Sequence, residues 1–421
     1  METTLDRLRP IWKPHDGQRE FLLAASPFKV LACGRRWGKS DASAVTVIDA
    51  LLRVARQRVL LLAPTLAQAR IVFERAHELY AALAEREGLP SPKVTQTPHP
   101  QIRAGPHRVV ARSGHCGRFL RGTEADHLIL DDAAFLPEEL LTEVAMPMLA
   151  TTGGTLTLLS TPCGKNHFWR FFSMGLRGEH GLWARHAPSH ENPRVRPEFL
   201  ALQRELISDR AFRVEYEAEF ADSDSHVFSS ESIGALFVPS LVGDGRGPVS
   251  IGIDWARSRD ATAVVVLRGT RDGAVVERVE HLRGLGWRAQ VERVAGLVNE
   301  FPGAEVLGDG TGVGDPVMEM LRELCPRHRL DQLLFTSTEK QRLVEDLAVM
   351  LDRGRLRSLA HPALQRELSH FSLLPSRSGA PRYGASNGYH DDLVIALALA
   401  VRVLPISGGA GLVWTGGRRP F

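Results

Sequence analysis

The sequence predicts an α/β protein with two domains. Its 421 residues exceed what one ordinary hydrophobic core usually carries. Between residues 1 and 222, short apolar runs are followed by helical or turn patterns, as expected for a parallel sheet with helices on both faces. From residue 249 onward, short turns separate three β-rich runs, which predicts an antiparallel meander followed by helices.

The domain boundaries follow from these changes of pattern. We assign residues 1–192 to the core of the first domain, and the charged, periodic residues 193–222 to a small helical lid. Residues 223–248 are rich in Ser, Asp and Gly, which predicts a linker. Residues 249–405 form the second, mixed α/β domain, and residues 406–421 are expected to be a flexible tail.

Composition excludes several classes of protein. With 43% hydrophobic and 24% charged residues, the chain is an ordinary globular protein, and a net charge of +3 does not by itself indicate a polyanionic partner. The 4 cysteines include no C-x-x-C pair, which argues against a disulfide framework or a zinc site. Because no apolar run approaches the ~20 residues of a membrane-spanning helix, we expect a soluble intracellular protein with no membrane partner.

The first functional motif is the run CGRRWGKS, residues 33–40, between an apolar strand pattern and a helical pattern. Such a loop presents backbone N–H groups and a helix N-terminus to phosphate. We predict that Lys39 reaches the β and γ phosphates of ATP and that the Ser40 hydroxyl binds Mg²⁺. The predicted ATP-binding loop residues are Gly34, Arg35, Arg36, Trp37, Gly38, Lys39 and Ser40. The competing interpretation is a helix cap after a turn.

The second motif, HLILDDAAF at residues 127–135, is an apolar strand that ends in two aspartates. In a nucleotide-hydrolysing fold, Asp131 would hold Mg²⁺, and Asp132 would orient or deprotonate the attacking water. A strand leading into a capped turn would look the same. The ordered pair of motifs nevertheless favours an ATPase.

Four further residues extend this prediction. Ser160 and Thr161, in LSTP, would lie beside the γ-phosphate and couple hydrolysis to motion. Gln18, upstream of the loop, would read the adenine edge with its amide. Arg121 lies just before the acidic strand, where its fixed charge would complete a neighbouring subunit's site.

The second half carries a set of aspartates at element ends. Asp254 and Asp309 end strand patterns, and Asp391 and Asp392 open a helix. Aspartates often cap helices, so each residue alone is weak evidence. Their order matches a ribonuclease-H-like fold, in which Asp254, Asp309 and Asp391 would bind Mg²⁺ or Mn²⁺ as two ions for phosphodiester cleavage. We predict Asp260 and Asp392 as auxiliary residues.

Together these motifs make the chain similar to the large terminase subunits of tailed bacteriophages. The similarity covers residues 12–403 and rests on CGRRWGKS, APT, LRG before LILDDAAF, LSTP, EYEAEF leading into VF, GIDWARSRDAT, GDGTGVGD and GYHDDLVIALALA. It implies an N-terminal P-loop ATPase of the ASCE type with a parallel-rich sheet and a small helical lid, followed by a ribonuclease-H-like nuclease.

The resemblance also implies roles and partners. Lys39 and Ser40 would serve the phosphate loop, Asp131 would bind Mg²⁺, Asp132 would be the catalytic carboxylate and Arg121 the arginine finger acting in trans. ATP hydrolysis would drive double-stranded DNA into the procapsid, and the nuclease would cut concatemeric DNA at initiation and termination. The expected partners are the portal protein, the small terminase subunit and further copies in a ring, usually a pentamer, in the host cell cytoplasm.

Two positions depart from the family pattern. Cys33 replaces the first loop glycine, which is tolerable if its φ stays negative because that glycine serves the turn rather than the phosphate contact. Asp132 stands where the family usually has glutamate, so we predict slower ATP hydrolysis than in an Asp132→Glu protein. The alternatives are a helicase-nuclease of repair or recombination and a non-catalytic nucleic-acid scaffold.

Overall fold

The computed structural model describes residues 1–114, 120, 124–220, 226–241, 246–255, 261–311, 314–374, 382–385 and 389–405. These residues divide into two units. The first contains residues 1–204 and 210–220, and the second contains residues 205–209, 226–374 and 382–405. Within the described part of the chain, no helix combines the length and apolar character needed to cross a membrane.

The first unit is built on a parallel-rich sheet, as predicted. Its strands are β1 (Phe28–Cys33), β2 (Arg58–Ala63), β3 (Lys93–Thr95), β4 (Gln101–Ala104), β5 (His107–Ser113), β6 (His127–Asp131), β7 (Thr155–Ser160) and β8 (Leu182–Ala187). They are arranged in the order β3-β4-β5-β2-β6-β7-β1-β8. In the sheet order, every pair of neighbours from β5 through β2, β6, β7 and β1 to β8 is parallel. Strands β4 and β3 extend the sheet beyond β5 as antiparallel neighbours.

Helices cover this sheet. They are α1 (Glu2–Leu8), α2 (Asp16–Leu23), α3 (Lys39–Leu51), α4 (Leu66–Glu87) and α5 (His167–Leu176), and α6 (Pro197–Leu206) and α7 (Asp209–Glu215) follow in the predicted lid. Apolar residues on β1 alternate between two cores: Leu31 and Cys33 pack into one, Val30 and Ala32 into the other. Burial on both faces explains why the strands are continuous apolar runs rather than alternating patterns.

The strand order determines where the motifs lie. Strand β7 lies between β1 and β6, with Ala32 opposite Ser160 and Leu159 opposite Asp131. Adjacent strands are about 4.8 Å apart. The carboxyl ends of β1, β7 and β6, which carry the phosphate loop, Ser160 and the aspartate pair, therefore lie side by side at one edge of the sheet.

The second unit has a mixed sheet, in agreement with the predicted mixed α/β domain. Its strands are β9 (Val249–Asp254), β10 (Thr262–Gly269), β11 (Ala274–Leu282), β12 (Glu305–Asp309), β13 (Arg329–Leu333) and β14 (Leu356–Arg357), with β15 (Phe371–Leu374) and β16 (Arg382–Ala385) in a separate hairpin. The sheet order is β13-β12-β9-β10-β11-β14. Strands β9, β10 and β11 form the predicted antiparallel meander, and β12 joins β9 in parallel.

The helices of the second unit are α8 (Ser230–Leu236), α9 (Trp287–Asn299), α10 (Gly314–Leu324), α11 (Ser337–Asp352), α12 (Pro362–His370) and α13 (Asp392–Arg402). Helix α13 is almost wholly buried and packs on β9 and β10. At Gly252 a Cβ would overlap the carbonyl oxygen of Ala396, so the absence of a side chain permits this close approach. The contact brings the start of α13 to the end of β9.

The predicted linker is wrong for residues 226–238. Within it, α8 begins after the cap Ser229, and Ile233 and Leu236 are buried in the core of the second unit. Phe228 packs against Phe371 with ring centroids 5.7 Å apart. The Ser-rich composition concealed a short amphipathic helix, because a cap residue and a loop residue have the same local chemistry.

Candidate active sites

The phosphate loop follows β1 without a break. Arg36 and Gly38 have φ values of 63° and 104°, so the loop curls back before α3 begins at Lys39. A Cβ at Gly34 would overlap the Ser189 side chain and the Tyr216 carbonyl oxygen. Gly34 therefore allows the loop to pass close to Ser189 and Tyr216.

Cys33 remains part of the strand. It pairs with Ala187 of β8, is fully buried and is not among the residues with positive φ. Burial raises the pKa of its thiol to about 12, which keeps it protonated. The condition for a non-glycine residue at this position is met because the turn starts one residue later.

Several predicted ATP contacts instead shape the loop. The N–H groups of Gly34, Arg35 and Trp37 donate to the carbonyl oxygens of Ala187, Glu215 and Gly34 at 2.9, 2.6 and 3.2 Å. In contrast, the first N–H groups of α3, from Lys39 onward, have no acceptor within the helix. The surface available to phosphate is therefore the end of the loop and the first turn of α3, including Ser40.

Gln18 does not have the predicted free amide. Its side chain is 4% exposed, its Nε2 donates to the Gly38 carbonyl oxygen at 3.0 Å, and its Oε1 accepts from the His15 N–H at 3.2 Å. His15 also contacts the Trp37 carbonyl oxygen at 2.8 Å. The structure thus uses Gln18 to support the phosphate loop, because both ends of its amide already have protein partners.

Lys39 lies between Asp131, the last residue of β6, and Asp132, which follows it. Its Nζ is 3.1 Å from Asp131 Oδ1 and forms a closer ion pair with Asp132. Burial lowers the pKa of Lys39, but the two aspartates outweigh burial and leave it raised. Burial raises the pKa of Asp131, an effect that Lys39 partly offsets. The residues predicted to act on one triphosphate therefore meet at one place.

The donor set fits a magnesium ion held with a nucleotide. Asp131 is 5% exposed, and its Oδ1 lies 3.1 Å from the Lys39 ammonium. A buried carboxylate is costly unless a cation binds it, so this oxygen would need another cation, such as Mg²⁺, if Lys39 turned to a phosphate. The half-buried Ser40, in the same first turn as Lys39, adds a hydroxyl oxygen of the kind that Mg²⁺ prefers.

Asp132 is held by a residue that the sequence did not identify. Gln68 Nε2 donates to Asp132 Oδ2 at 2.9 Å, and the Gln68 Oε1 accepts from the Thr65 N–H in a capping box at the start of α4. Asp132 itself has φ 53° and ψ 43°, a left-handed conformation that Asp tolerates better than most residues. The APT motif quoted above contains Thr65, but nothing local indicated that α4 reaches Asp132.

The residues after the acidic strand connect to the end of β7. The fully buried Ser160 accepts a hydrogen bond from the Ala134 N–H at 3.2 Å. Asn166 and His167, at the start of α5, contact the carbonyl oxygens of Ala134 and Ala133 at 2.8 and 3.0 Å. The turn that carries Asp132 is thus tied to the segment after Ser160 and the buried Thr161, whereas Arg121 lies outside the described residues.

The second unit brings its aspartates close enough to interact. Burial raises the pKa of Asp254 well above its usual value, and Asp309, Asp392 and Asp391 raise it further, in that order. Burial also raises the pKa of Asp309, although its Oδ1 accepts the Thr311 N–H at 2.8 Å. Asp392, predicted as auxiliary, therefore acts on Asp254 more strongly than Asp391 does.

Lys340 pairs with this cluster, and no motif or periodicity in the sequence pointed to it. Its Nζ donates to Asp391 Oδ2 at 3.1 Å, and it lowers the pKa of both Asp254 and Asp309. Within the ranges that the structure describes, no three His, Cys, Asp or Glu side chains are arranged to hold one metal ion. Asp260 falls outside these ranges.

The acidic cluster nevertheless has the chemistry of a divalent-metal site. Asp309, Asp391 and Asp392 all raise the pKa of Asp254, and the buried Asp392 Oδ2 has no hydrogen bond, with His281 Nε2 3.7 Å away. Hard cations such as Mg²⁺ and Mn²⁺ bind oxygen ligands of this kind. The donor set fits such ions, which would supply the positive charge that Lys340 alone does not.

Comparisons with known proteins find similar sequences for both units of the chain. A family model described as the terminase RNaseH-like domain matches residues 251–402. The chain is 29% identical over 444 residues to the large terminase subunit of Thermus virus P23-45, covering 94% of this chain and 90% of the relative. The large subunit of Thermus phage G20c matches with the same identity and coverage.

Among solved structures, the large terminase of the thermophilic bacteriophage D6E matches with a TM-score of 0.57 at 12% identity, over 94% of this chain and all of that chain, 100%. At that identity the match concerns the fold. Over most of its length the chain is therefore similar to these large terminase subunits, and its residues 251–402 match the terminase RNaseH-like domain.

Proposed function

We propose that this chain is the motor and the nuclease of a viral DNA-packaging machine. ATP hydrolysis in the first unit would drive double-stranded DNA into a procapsid, and a metal-dependent endonuclease in the second unit would cut concatemeric DNA at initiation and termination. The observation that carries the proposal is the pair of acidic sites in one chain, one built around Lys39 and one around Lys340.

In the first site, the ion pairs of Lys39 suggest how nucleotide engages the residues. ATP would bind with Mg²⁺, which supplies positive charge to the phosphates. A triphosphate at the first turn of α3 competes with Asp131 and Asp132 for the Lys39 ammonium. When Lys39 turns to phosphate, Asp131 becomes available to Mg²⁺, and Asp132, still held by Gln68, becomes available to a water molecule.

Communication from this site would pass through β7. Ser160 bonds the turn after Asp132, and Asn166 and His167 hold the same turn from α5. A displacement of Asp132 on hydrolysis therefore acts directly on the segment that contains Ser160 and Thr161. This arrangement supports the coupling role proposed for those two residues.

In the second site, Asp254, Asp309, Asp391 and Asp392 would hold Mg²⁺ or Mn²⁺, with two ions as the expected number. The ions would activate water and stabilise the leaving oxygen of a DNA phosphodiester. Lys340, which neutralises Asp391 in the metal-free protein, would be released toward the phosphate as metal binds. Cutting would show little sequence preference, because phosphate contacts carry no sequence information.

A ladder of basic residues supports contact with DNA. Lys93, Arg103 and Arg108 are exposed and directly opposite one another on β3, β4 and β5. None forms an ion pair with a described acidic residue, and like charges opposite each other destabilise a sheet. Burial lowers the pKa of the nearby His99, and Arg112 and Arg108 lower it further. We propose this face as a contact for the DNA backbone.

The assembly belongs to the same proposal. The resemblance to large terminase subunits leads us to propose further copies in a ring, a portal protein and a small terminase subunit as partners. A large terminase of bacteriophage D6E was solved with ATP-γ-S, which supports a nucleotide at the first site. Arg121 as the finger that acts in trans rests on its place in the sequence.

The test uses the full-length chain with two substitutions. Lys39→Ala should abolish ATP hydrolysis and leave Mn²⁺-dependent nicking of supercoiled plasmid intact. Asp309→Ala should abolish nicking, by at least about 100-fold, and leave ATP hydrolysis intact. Retention of both activities in both variants would refute the assignment of the two sites.

A further inference from the structure

The start of helix α13 poses a question about capping. Asp391 occupies the N-cap position, and aspartate is a favoured cap residue, yet its side chain makes no capping hydrogen bond. Its carboxylate instead accepts a hydrogen bond from Lys340, 3.1 Å away. The N–H groups of the first turn of α13 therefore need another acceptor, since they lie in a buried part of the unit.

Glu367 of α12 supplies that acceptor. Its Oε2 accepts from the Leu393 N–H at 2.8 Å, and the side chain is 6% exposed. A carboxylate at the N-terminus of a helix is also favoured by the helix dipole. Glu367 thus performs the capping that Asp391 would otherwise perform, from a separate helix.

The same face of α12 makes a second contact with this segment. His370, three residues after Glu367, stacks on Tyr389 with ring centroids 3.7 Å apart and an interplanar angle of 18°. Residues three apart lie on one side of a helix. Because Tyr389 precedes Asp391 by two residues, α12 contacts the segment on both sides of the aspartate pair.

Keeping a carboxylate at this position is costly. Burial raises the pKa of Glu367 to about 7, even though the N–H groups of Leu393 and Val394 lower it. An apolar side chain would fill the same space without that penalty. Glu367 costs stability and makes a specific hydrogen bond to the proposed active-site segment. A role in holding that segment therefore explains a glutamate at this position better than a role in core packing does.

We propose that Glu367 is a positioning residue for the nuclease: by capping α13 it frees the Asp391 carboxylate for metal and fixes the direction in which Asp391 and Asp392 point. The inference rests on the proposed nuclease function. It assigns Glu367 no contact with DNA or metal.

The experiment compares variants of the full-length chain. Glu367→Ala removes the cap, Glu367→Gln keeps an acceptor of similar shape, and Gln365→Ala, on the exposed side of the same helix, is the matched control. Two properties are measured without reference to cutting: hydrogen exchange of the peptide that contains Leu393 and Val394 in metal-free protein, and the binding isotherm for Mn²⁺. Plasmid nicking and ATP hydrolysis are measured in parallel.

We expect Glu367→Ala to speed exchange at the start of α13 and to weaken Mn²⁺ binding about 10-fold, a loss of about 1.4 kcal/mol. Glu367→Gln should restore both to within about 3-fold, and Gln365→Ala should change neither. ATP hydrolysis should be the same in all of them, which shows that the first unit is folded, and hydrogen exchange of the other peptides of the second unit shows whether that unit is folded. If Glu367→Ala unfolds the second unit, Glu367→Asp, whose shorter side chain no longer reaches Leu393, replaces it with the same expectations.

Two results would overturn the inference, and they are distinguishable. If Asp309→Ala abolishes nicking while Glu367→Ala binds Mn²⁺ and exchanges like the unmodified protein, the nuclease stands and only the role of Glu367 fails. If the unmodified chain neither binds Mn²⁺ nor nicks DNA, the nuclease proposal fails and takes this inference with it.

Discussion

The two acidic sites use the same residue type in different electrostatic surroundings. Asp131 and Asp254 each end a strand, and burial raises the pKa of both. The next largest influence on Asp131 is Lys39, which lowers its pKa, whereas the next influence on Asp254 is Asp309, which raises it further. The first site is largely neutralised by its own lysine, and the second retains repulsion between carboxylates.

This difference teaches how each site would be controlled. In the first, a ligand must compete for an existing ion pair, so phosphate binding and release of the aspartates are linked. In the second, Lys340 pairs with Asp391 and lowers the pKa of Asp254 and Asp309, and the further positive charge would come from bound metal. Phosphate binding at the first site would therefore release the aspartates, whereas activity at the second site would depend on metal.

The largest expected effect comes from replacing the two lysines. Lys39→Met should destabilise the first unit by about 4 kcal/mol, because it leaves the buried Asp131 without its partner. Lys340→Met should cost the second unit less than about 1 kcal/mol, since its pair with Asp391 is more exposed. Urea unfolding of the metal-free chain, followed by hydrogen exchange in each unit, measures both. Equal losses would remove the contrast between the sites.

The pH dependence of stability should have opposite signs at two buried groups. In the first unit, burial lowers the pKa of His127 to about 4, with its ring nitrogens 2.7 Å from Thr155 Oγ1 and Gln57 Oε1. Between its unfolded pKa of 6.5 and about 4, only the unfolded chain takes up the proton. Stability is therefore present above pH 6.5 and is lost as the pH falls, by about 3 kcal/mol in all.

Glu367 should act in the other direction. Its pKa of about 7 exceeds the unfolded value of 4.5 because of burial, so its contribution is full below pH 4.5 and is lost as the pH rises through 7. Melting curves from pH 4 to pH 8 test both signs. His127→Gln should flatten the acid side and Glu367→Gln the neutral side, while His190→Gln, at an exposed position, should change neither. If the melting temperature of His127→Gln or Glu367→Gln depends on pH as it does in the unmodified protein, the assignment of that pH dependence to His127 or Glu367 is wrong.

The smallest expected effect concerns Asp132. Asp132→Glu should raise ATP turnover a few-fold, because the longer side chain reaches the γ-phosphate more closely. It should also cost about 1 kcal/mol of stability, since glutamate tolerates the left-handed backbone at this position less well than aspartate. Asp132→Asn, which keeps the backbone preference, should be inactive but stable. Unchanged turnover in Asp132→Glu would refute the predicted rate penalty of aspartate.

Much of the fold was predictable because its signals are local. The apolar runs that end in Cys33, Asp131 and Asp254 each form a strand, and the helix after Lys39 starts where the loop predicts. The short helix at Ser230–Leu236 was missed because its Ser-rich surroundings are typical of a loop. Gln18 was assigned to adenine because it lies upstream of the loop. Its hydrogen bond to the Gly38 carbonyl oxygen could not be predicted from that position.

The supporting residues of both sites were not predictable. Gln68, Lys340 and Glu367 lie on helices whose sequence patterns show only which side is buried. Their partners are 64, 51 and 26 residues away along the chain. No periodicity or motif encodes a hydrogen bond across such a distance, because it depends on how separate elements pack.

The sequence by itself determined which residues end the strands and open the helices, since hydrophobic periodicity and turn chemistry act over a few residues. It thereby placed Lys39, the aspartate pair at the end of β6 and the aspartates of the second unit at element ends. Only the tertiary structure decided which charges face each other: Lys39 meets Asp132, 93 residues away, while Asp254 meets other aspartates. The reason is that Coulomb and hydrogen-bond energies depend on distance in space, which strand order and helix packing set.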